Sequence, residues 1–305
     1  MKTSDGPAAR PLLLPRLHAA LAGGHAGIER ILVRSEGRPT AKALHDLRVA
    51  LRRTAALAKL TRGIPSEGDG ELLRKAARDL RRALSPQRTY EVSCQRLQAR
   101  FRRDPAKRAT ALVLSRLLER QAKDPRKVPR QALAGPLSSL RRAFAAREAD
   151  LSPQKSAPLF ARDSRTEKKL CTKIASRLER KRRKLVREGV PTAETLHPTR
   201  IRLKDLRYAL EFVKGVMPGV TELLPSLKSF QTAAGDANDR FELSRLVEAL
   251  VVRVPRTRRG GAESLLPILS KDAERALKRA QQQARPVLER LSAITLTFES
   301  SDTAR

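Results

Sequence analysis

The chain has 305 residues, with 65 Lys or Arg against 32 Asp or Glu, a formal net charge of +33 and 40 % hydrophobic residues. That apolar share supports a folded core of about two domains, and the charge is not a tail effect: residues 1–158 carry 34 basic and 14 acidic side chains, residues 159–305 carry 31 and 18. The composition excludes several classes: two cysteines (Cys94 and Cys171) make no disulfide framework or zinc module, 3 % aromatics without Trp give few base-stacking platforms, and no apolar run approaches ~18 residues.

Leu, Ala, Arg and Lys dominate, and apolar residues recur at three and four, which predicts helices and no strands. In chain order the first half is read as helices near 12–34, 41–61, 69–84, 87–102, 107–121 and 131–150. Breaks fall at Gly63-Ile64-Pro65-Ser66, Ser85-Pro86, Asp104-Pro105 and Asp124-Pro125. The stretch Ser152 to Pro158, rich in Ser and Pro, is the predicted linker. The second half is read as helices near 164–188, 195–215, 221–234, 238–252 and 262–292. Its breaks are Gly189-Val190-Pro191, Met217-Pro218-Gly219, Gly235-Asp236 and Gly260-Gly261. The expected organisation is therefore two helical bundles, residues 1–158 and 159–305. Leu12–Leu14, bracketed by Pro11 and Pro15, is too short for a signal peptide. The expected chain is soluble and cytoplasmic, with two reduced packing thiols.

One stretch is written twice. Residues 39–52 read PTAKALHDLRVALR and residues 191–204 read PTAETLHPTRIRLK, identical at seven of fourteen positions at an offset of 152. Such self-similarity argues for two related halves. Each copy holds a His, an Arg three residues on and a second cation seven residues on. On a helix these positions fall within about 60° of one another. His45, Arg48 and Arg52 then share one face, bordered by Arg53; His197, Arg200 and Lys204 share another, extended by Arg207. A phosphate chain needs donors along a line, forked Arg for oxygen pairs and Lys as a compact charge. A solvated charged face is the bland alternative, and recurrence with both histidines retained favours the anion site.

Thr40 and Thr192 both read as N-caps. Pro198 lacks the backbone donor that a helix begun at Thr192 would need, so the second signature helix is expected to start near Thr195 to His197. His197 then lies at a helix N-terminus, where free amides favour an anion. Lys168 to Arg187 adds ten basic residues and one acid, Glu179. Within it Lys173, Arg177, Lys181 and Lys184 form a stripe beside the apolar seam Leu170, Ile174, Leu178 and Leu185, either a channel wall or a solubilising face. Arg30 and Arg34 are the thinner equivalent in the first half.

At His45/Arg48/Arg52, and again at LHPTRIRLKDLRYALEF, the chain resembles the CHAD family, named for a conserved histidine α-helical domain. His197, Arg200, Arg202, Lys204, Arg207, Tyr208 and Glu211 fall in register with the second signature. The family's LG-x-x-x-D turn is echoed by Leu84 through Arg88-Thr89 and by Gly235 through Asn238-Asp239. Thr89 stands where an acidic residue is usual, Pro198 is atypical, and helices at 107–150 enlarge the first half. The resemblance, over about residues 10 to 292, implies an all-α fold. It implies two four-helix bundles related by a pseudo-twofold axis around a basic central cavity that holds inorganic polyphosphate. It also implies association with polyphosphate granules. The acidic E-x-E-x-K signature of a triphosphatase domain, which some relatives carry, is missing from the sequence.

These readings give a non-catalytic polyphosphate-binding protein with no cofactor, no metal and no membrane insertion. The expected phosphate contacts are His45, Arg48, Arg52, Arg53, His197, Arg200, Arg202, Lys204 and Arg207, helped by Lys173, Arg177, Lys181, Lys184, Arg30 and Arg34. The alternative is a general polyanion or nucleic-acid binder, since charge alone suffices for nonspecific duplex binding at low salt. An enzyme is the third reading. It lacks a G-x-x-x-x-G-K-[ST] loop, and its nearest acidic pair, Asp236 and Asp239, suits a turn or cap better than Mg²⁺.

Overall fold

A computed structural model of the chain describes residues 12–34, 40–63, 69–84, 86–121, 130–150 and 165–298. All regular structure among them is helical: α1 (Leu13–Arg34), α2 (Ala41–Leu60), α3 (Asp69–Ala83), α4 (Pro86–Phe101), α5 (Pro105–Gln121) and α6 (Arg130–Asp150). They are followed by α7 (Arg165–Glu188), α8 (Leu196–Val213), α9 (Val220–Val251), α10 (Arg256–Glu263) and α11 (Leu266–Ala293). The Ser152–Pro158 linker, the Asp124-Pro125 break, Ser85 and the Thr89 side chain lie outside what is described.

The three-and-four spacing of apolar residues becomes the buried face of each helix. In α7 the seam Leu170, Ile174, Leu178 and Leu185 is fully buried, each side chain contributing roughly 1.5–3 kcal/mol of transfer free energy. The Thr40 side chain accepts from the Ala43 amide at 3.1 Å and caps α2. The helix α8 begins at Leu196, as the position of Pro198 demands, with Thr192 and Thr195 bonded to each other in the preceding turn.

Two of the expected glycine breaks are not found, since both glycine sites lie inside helices. The chain runs straight through Gly235-Asp236 as one helix of 32 residues, α9. Leu227, Phe230, Ala234 and Ala237 keep the buried spacing unbroken there, and that packing outweighs the roughly 0.5–1 kcal/mol cost of a helical glycine. Likewise Gly260 and Gly261 lie inside α10. A Cβ at Gly261 would come within 3.0 Å of Thr110 Oγ1 on α5, so the glycine permits that close approach.

Two hydrophobic cores result, and each draws on both halves of the sequence. The larger takes α1, α2, α3, α6, α7 and α8 with the first part of α9 and the second part of α11. The smaller joins α4 and α5 to the remainder of α9, to α10 and to the start of α11. The two long helices α9 and α11 pair extensively and run through both cores. Among the described residues no helix is long and apolar enough to cross a membrane.

Contacts between α2 and α8 are exchanged at the offset of the sequence repeat. Arg53 of α2 pairs with Glu211 of α8 at 3.4 Å, and Lys59 of α2 pairs with Asp205 of α8 at 3.2 Å. The helix ends are capped reciprocally as well. Arg16 of α1 donates to the carbonyls of Phe212 (2.5 Å) and Lys214 (2.7 Å) at the end of α8. In return Arg177 of α7 donates to Leu60 O at 2.6 Å, and Lys173 to Gly63 O at 3.2 Å, at the end of α2. Cations at helix C-termini satisfy orphan carbonyls and oppose the macrodipole. The N-terminus of α1 is held by the buried Glu167 of α7, which accepts from the Leu13 (2.6 Å) and Leu14 (3.1 Å) amides.

Candidate functional site

The helices α2 and α8 bury one face each: Leu47 and Leu51 on α2, Leu196, Thr199, Leu203 and Leu206 on α8. The 3.6-residue turn then directs His45, Arg48 and Arg52, and His197, Arg200 and Lys204, away from those faces. Packing brings the two triads to one cavity of about 390 Å³. Its remaining wall is Val92 and Ser93 of α4 with Asn238, Asp239 and Glu242 of α9.

Described contacts hold Arg48, His197 and Arg200 in place. Arg48 Nη1 donates to Leu84 O at the end of α3 at 2.6 Å. His197 Nδ1 lies 3.0 Å from Asn238 Oδ1, so that nitrogen is occupied, and Nε2 makes no hydrogen bond among the described residues. Arg200 Nη2 is 3.8 Å from Asp239 Oδ1, and its buried Nε has no hydrogen-bond partner among the described residues. Gly235 packs against that Nε, where a Cβ would make an ordinary contact at 3.6 Å. Burial, with the guanidiniums of Arg200, Arg52 and Arg207 outweighing the Asp239 carboxylate, pushes the Lys204 amine down to about 7. Arg96 ties α4 to this wall, pairing with Asp236 at 2.6 Å and Asp239 at 3.5 Å. Asp236 also takes Arg240 (2.9 Å) and Arg279 (3.4 Å).

Of the residues singled out from the sequence, His45, Arg48, Arg52, His197, Arg200 and Lys204 line the cavity. The others lie elsewhere, each for a visible reason. Arg207 is buried behind the wall, donating to Gln231 Oε1 at 2.7 Å, pairing with Glu211 and stacking over Tyr208 at 4.6 Å. Arg53 is exposed beside Glu211 and the same ring, and Arg202 pairs with Glu188. Lys173 and Arg177 cap α2. Lys181 lies 3.7 Å from Asp205, its amine lowered by burial. Lys184 and Arg34 are exposed, and exposed Arg30 bonds its own helix at Ala26 O. What the sequence reading missed is the α4 and α9 wall. The Asn238-Asp239 echo is the signal in the sequence that points to it, although α9 is continuous there and makes no turn.

A polyanion is what this wall suits chemically: guanidiniums, an amine and imidazoles around a hollow, with two carboxylates on one side only. Among the described residues no group of three or more His, Cys, Asp or Glu is arranged to hold a metal.

A family profile described as the CHAD domain matches residues 25–248. The chain belongs to the CHAD domain family. The chain also matches the crystal structure of the CHAD domain from the plant Ricinus communis with a TM-score of 0.67 and 24 % identity, over 96 % of each chain. It matches PptA from Streptomyces chartreusis with a TM-score of 0.61 and 17 % identity, over 90 % of this chain and 99 % of that one. At these identities the likeness speaks for the fold. No curated protein matches the chain.

Proposed function

We propose that this CHAD domain binds inorganic polyphosphate in the cavity between α2 and α8 and does no chemistry on it. The observation that carries the reading is the convergence of the two sequence-related triads on one hollow of about 390 Å³. Guanidiniums supply forked donors for phosphate oxygens, and partial burial strengthens each charge-assisted bond. Some members of the family bind polyphosphate, which makes this polymer the preferred polyanion. Cytoplasmic residence at polyphosphate granules follows from the same reading. Catalysis is left out because Asp239 is already engaged by Arg96 and Arg200. Metal-dependent shortening of polyphosphate on a gel would show an enzyme instead.

The second reading is a general polyanion or nucleic-acid binder. It is favoured by the net charge of +33 and by exposed cations outside the cavity such as Arg34 and Lys184. A competition titration separates the two. Long-chain polyphosphate is set against duplex DNA and single-stranded RNA at about 50 and about 300 mM salt, where backbone charge contacts weaken steeply. Survival of polyphosphate binding alone at the higher salt, lost on replacing His45, Arg48, His197 and Arg200, supports the cavity. Joint collapse of all three ligands makes the protein a general polyanion binder.

A further inference from the structure

The cations around the cavity are not alike in chemistry. Arg48 and Arg52 from α2 and Arg200 from α8 line it, and Arg207 lies behind Lys204 on α8. A guanidinium does not give up its proton inside a protein. The opposing carboxylates, Asp239 and Glu242, both come from α9, and Asp239 is shared with Arg96 of α4 at 3.5 Å and with Arg200 at 3.8 Å. From α4 the described side chains that face the cavity are Val92 and Ser93. Lys181 of α7 is turned to Asp205 instead. Among the described residues that line the cavity, three guanidiniums stand with two carboxylates. The Lys204 amine lines the same hollow as these guanidiniums and, unlike them, is able to give up its proton.

We propose, on the reading that this cavity takes a phosphate chain, that anion binding is coupled to uptake of a proton by the Lys204 amine. The reaction balances simply: the neutral amine takes one proton from solvent as the polyanion enters, and returns it when the polyanion leaves. The empty site disfavours the ammonium through burial and through Arg200 and Arg52. Phosphate oxygens against the amine replace that repulsion with attraction and restore the ordinary affinity of a lysine for its proton. The sign follows from linkage. Binding draws in a proton, so affinity falls as pH rises above about 7, where the free amine becomes neutral. With the amine restored to its ordinary value of 10.5 in the complex, affinity drops on the order of twentyfold between about pH 6.5 and about pH 8.5, and roughly 0.9 proton enters per occupied site at about pH 8.

The test is calorimetric titration of the full chain with long-chain polyphosphate, whose few end groups contribute little titration. It is run at fixed salt in two buffers of different ionisation enthalpy. The wild type is expected to take up close to one proton at about pH 8. Lys204→Arg, which cannot lose its charge, is expected to bind without that uptake and with a flattened pH profile. Lys204→Met is the second variant, expected to show no uptake and weaker binding at low pH. Uptake that persists in Lys204→Arg and Lys204→Met assigns the proton to the histidines and overturns the proposal. Wild-type binding without uptake overturns it too, while leaving polyphosphate as the ligand. Absence of binding at every pH overturns the polyphosphate reading itself.

Discussion

Replacing Arg52 and Arg200 together by Gln separates a cavity that counts charges from a merely basic surface. Both side chains line the hollow, one from each signature helix. Arg48 is spared because its guanidinium also holds the end of α3 through Leu84 O. Each neutralised phosphate releases about 0.7–0.9 counterion, so the double variant should lose about 1.4–1.8 from the slope of log affinity against log salt. A hydrogen bond to a charged group is worth about 1.5–3 kcal/mol, which puts the affinity loss for two at about 10²–10⁴-fold near physiological salt. The assay is a fluorescence or calorimetric titration with polyphosphate at four or more salt concentrations. Arg177→Gln is the matched control: it removes one guanidinium that caps α2 at Leu60 O and does not line the cavity. It should lower the melting temperature and leave the slope alone. An unchanged slope in the double variant, or an equal flattening by Arg177→Gln, refutes the assignment of the cavity.

Three further outcomes follow from the same geometry. Lys204→Met should raise the melting temperature of the ligand-free protein by a few degrees, since it removes a buried amine set against Arg200 and Arg52, while weakening polyphosphate binding at about pH 6.5; a lower melting temperature would contradict the repulsion. Asp236→Asn leaves Arg96, Arg240 and Arg279 without their shared carboxylate and should cost about 1–3 kcal/mol, read as a lower urea midpoint at constant m-value. Burial works to raise the Asp236 carboxyl, but Arg240 and Arg96 outweigh it and hold it below the usual range. Its stabilisation is therefore present above the unfolded value of about 3.9 and lost as pH falls through the lower folded value, an acid transition the Asn variant should lack. Cys171, pushed up to about 11 by burial and the nearby Glu167, should be alkylated far more slowly than a free thiol at about pH 7.5. Rapid labelling of the folded chain would show the thiol to be open.

The helical class and six residues of the candidate cavity were legible in the sequence. Three-and-four spacing specifies helices because a helix turns every 3.6 residues, and the repeat itself singles out His45, Arg48, Arg52, His197, Arg200 and Lys204. Turn chemistry was legible where backbone rules are strict, as at Thr40 and Pro198. Periodicity also shows which residues share a helix face, but it does not show what covers that face. Arg207 continues the His197 stripe on paper, yet Gln231, Glu211 and Tyr208 draw it behind the wall. Lys173 and Arg177 look like a channel stripe and are spent on the end of α2. Gly235 reads as a break, yet α9 passes through it because Phe230, Ala234 and Ala237 are buried on both sides. The wall of Asn238, Asp239 and Glu242 exists only because α9 stays whole and Arg96 ties α4 against it. Local propensity is a weak, nearest-neighbour quantity, whereas Lys173, Arg177 and Arg96 are placed by contacts between residues 110 to 143 positions apart. Tertiary packing alone decided which of the many cations face a common hollow.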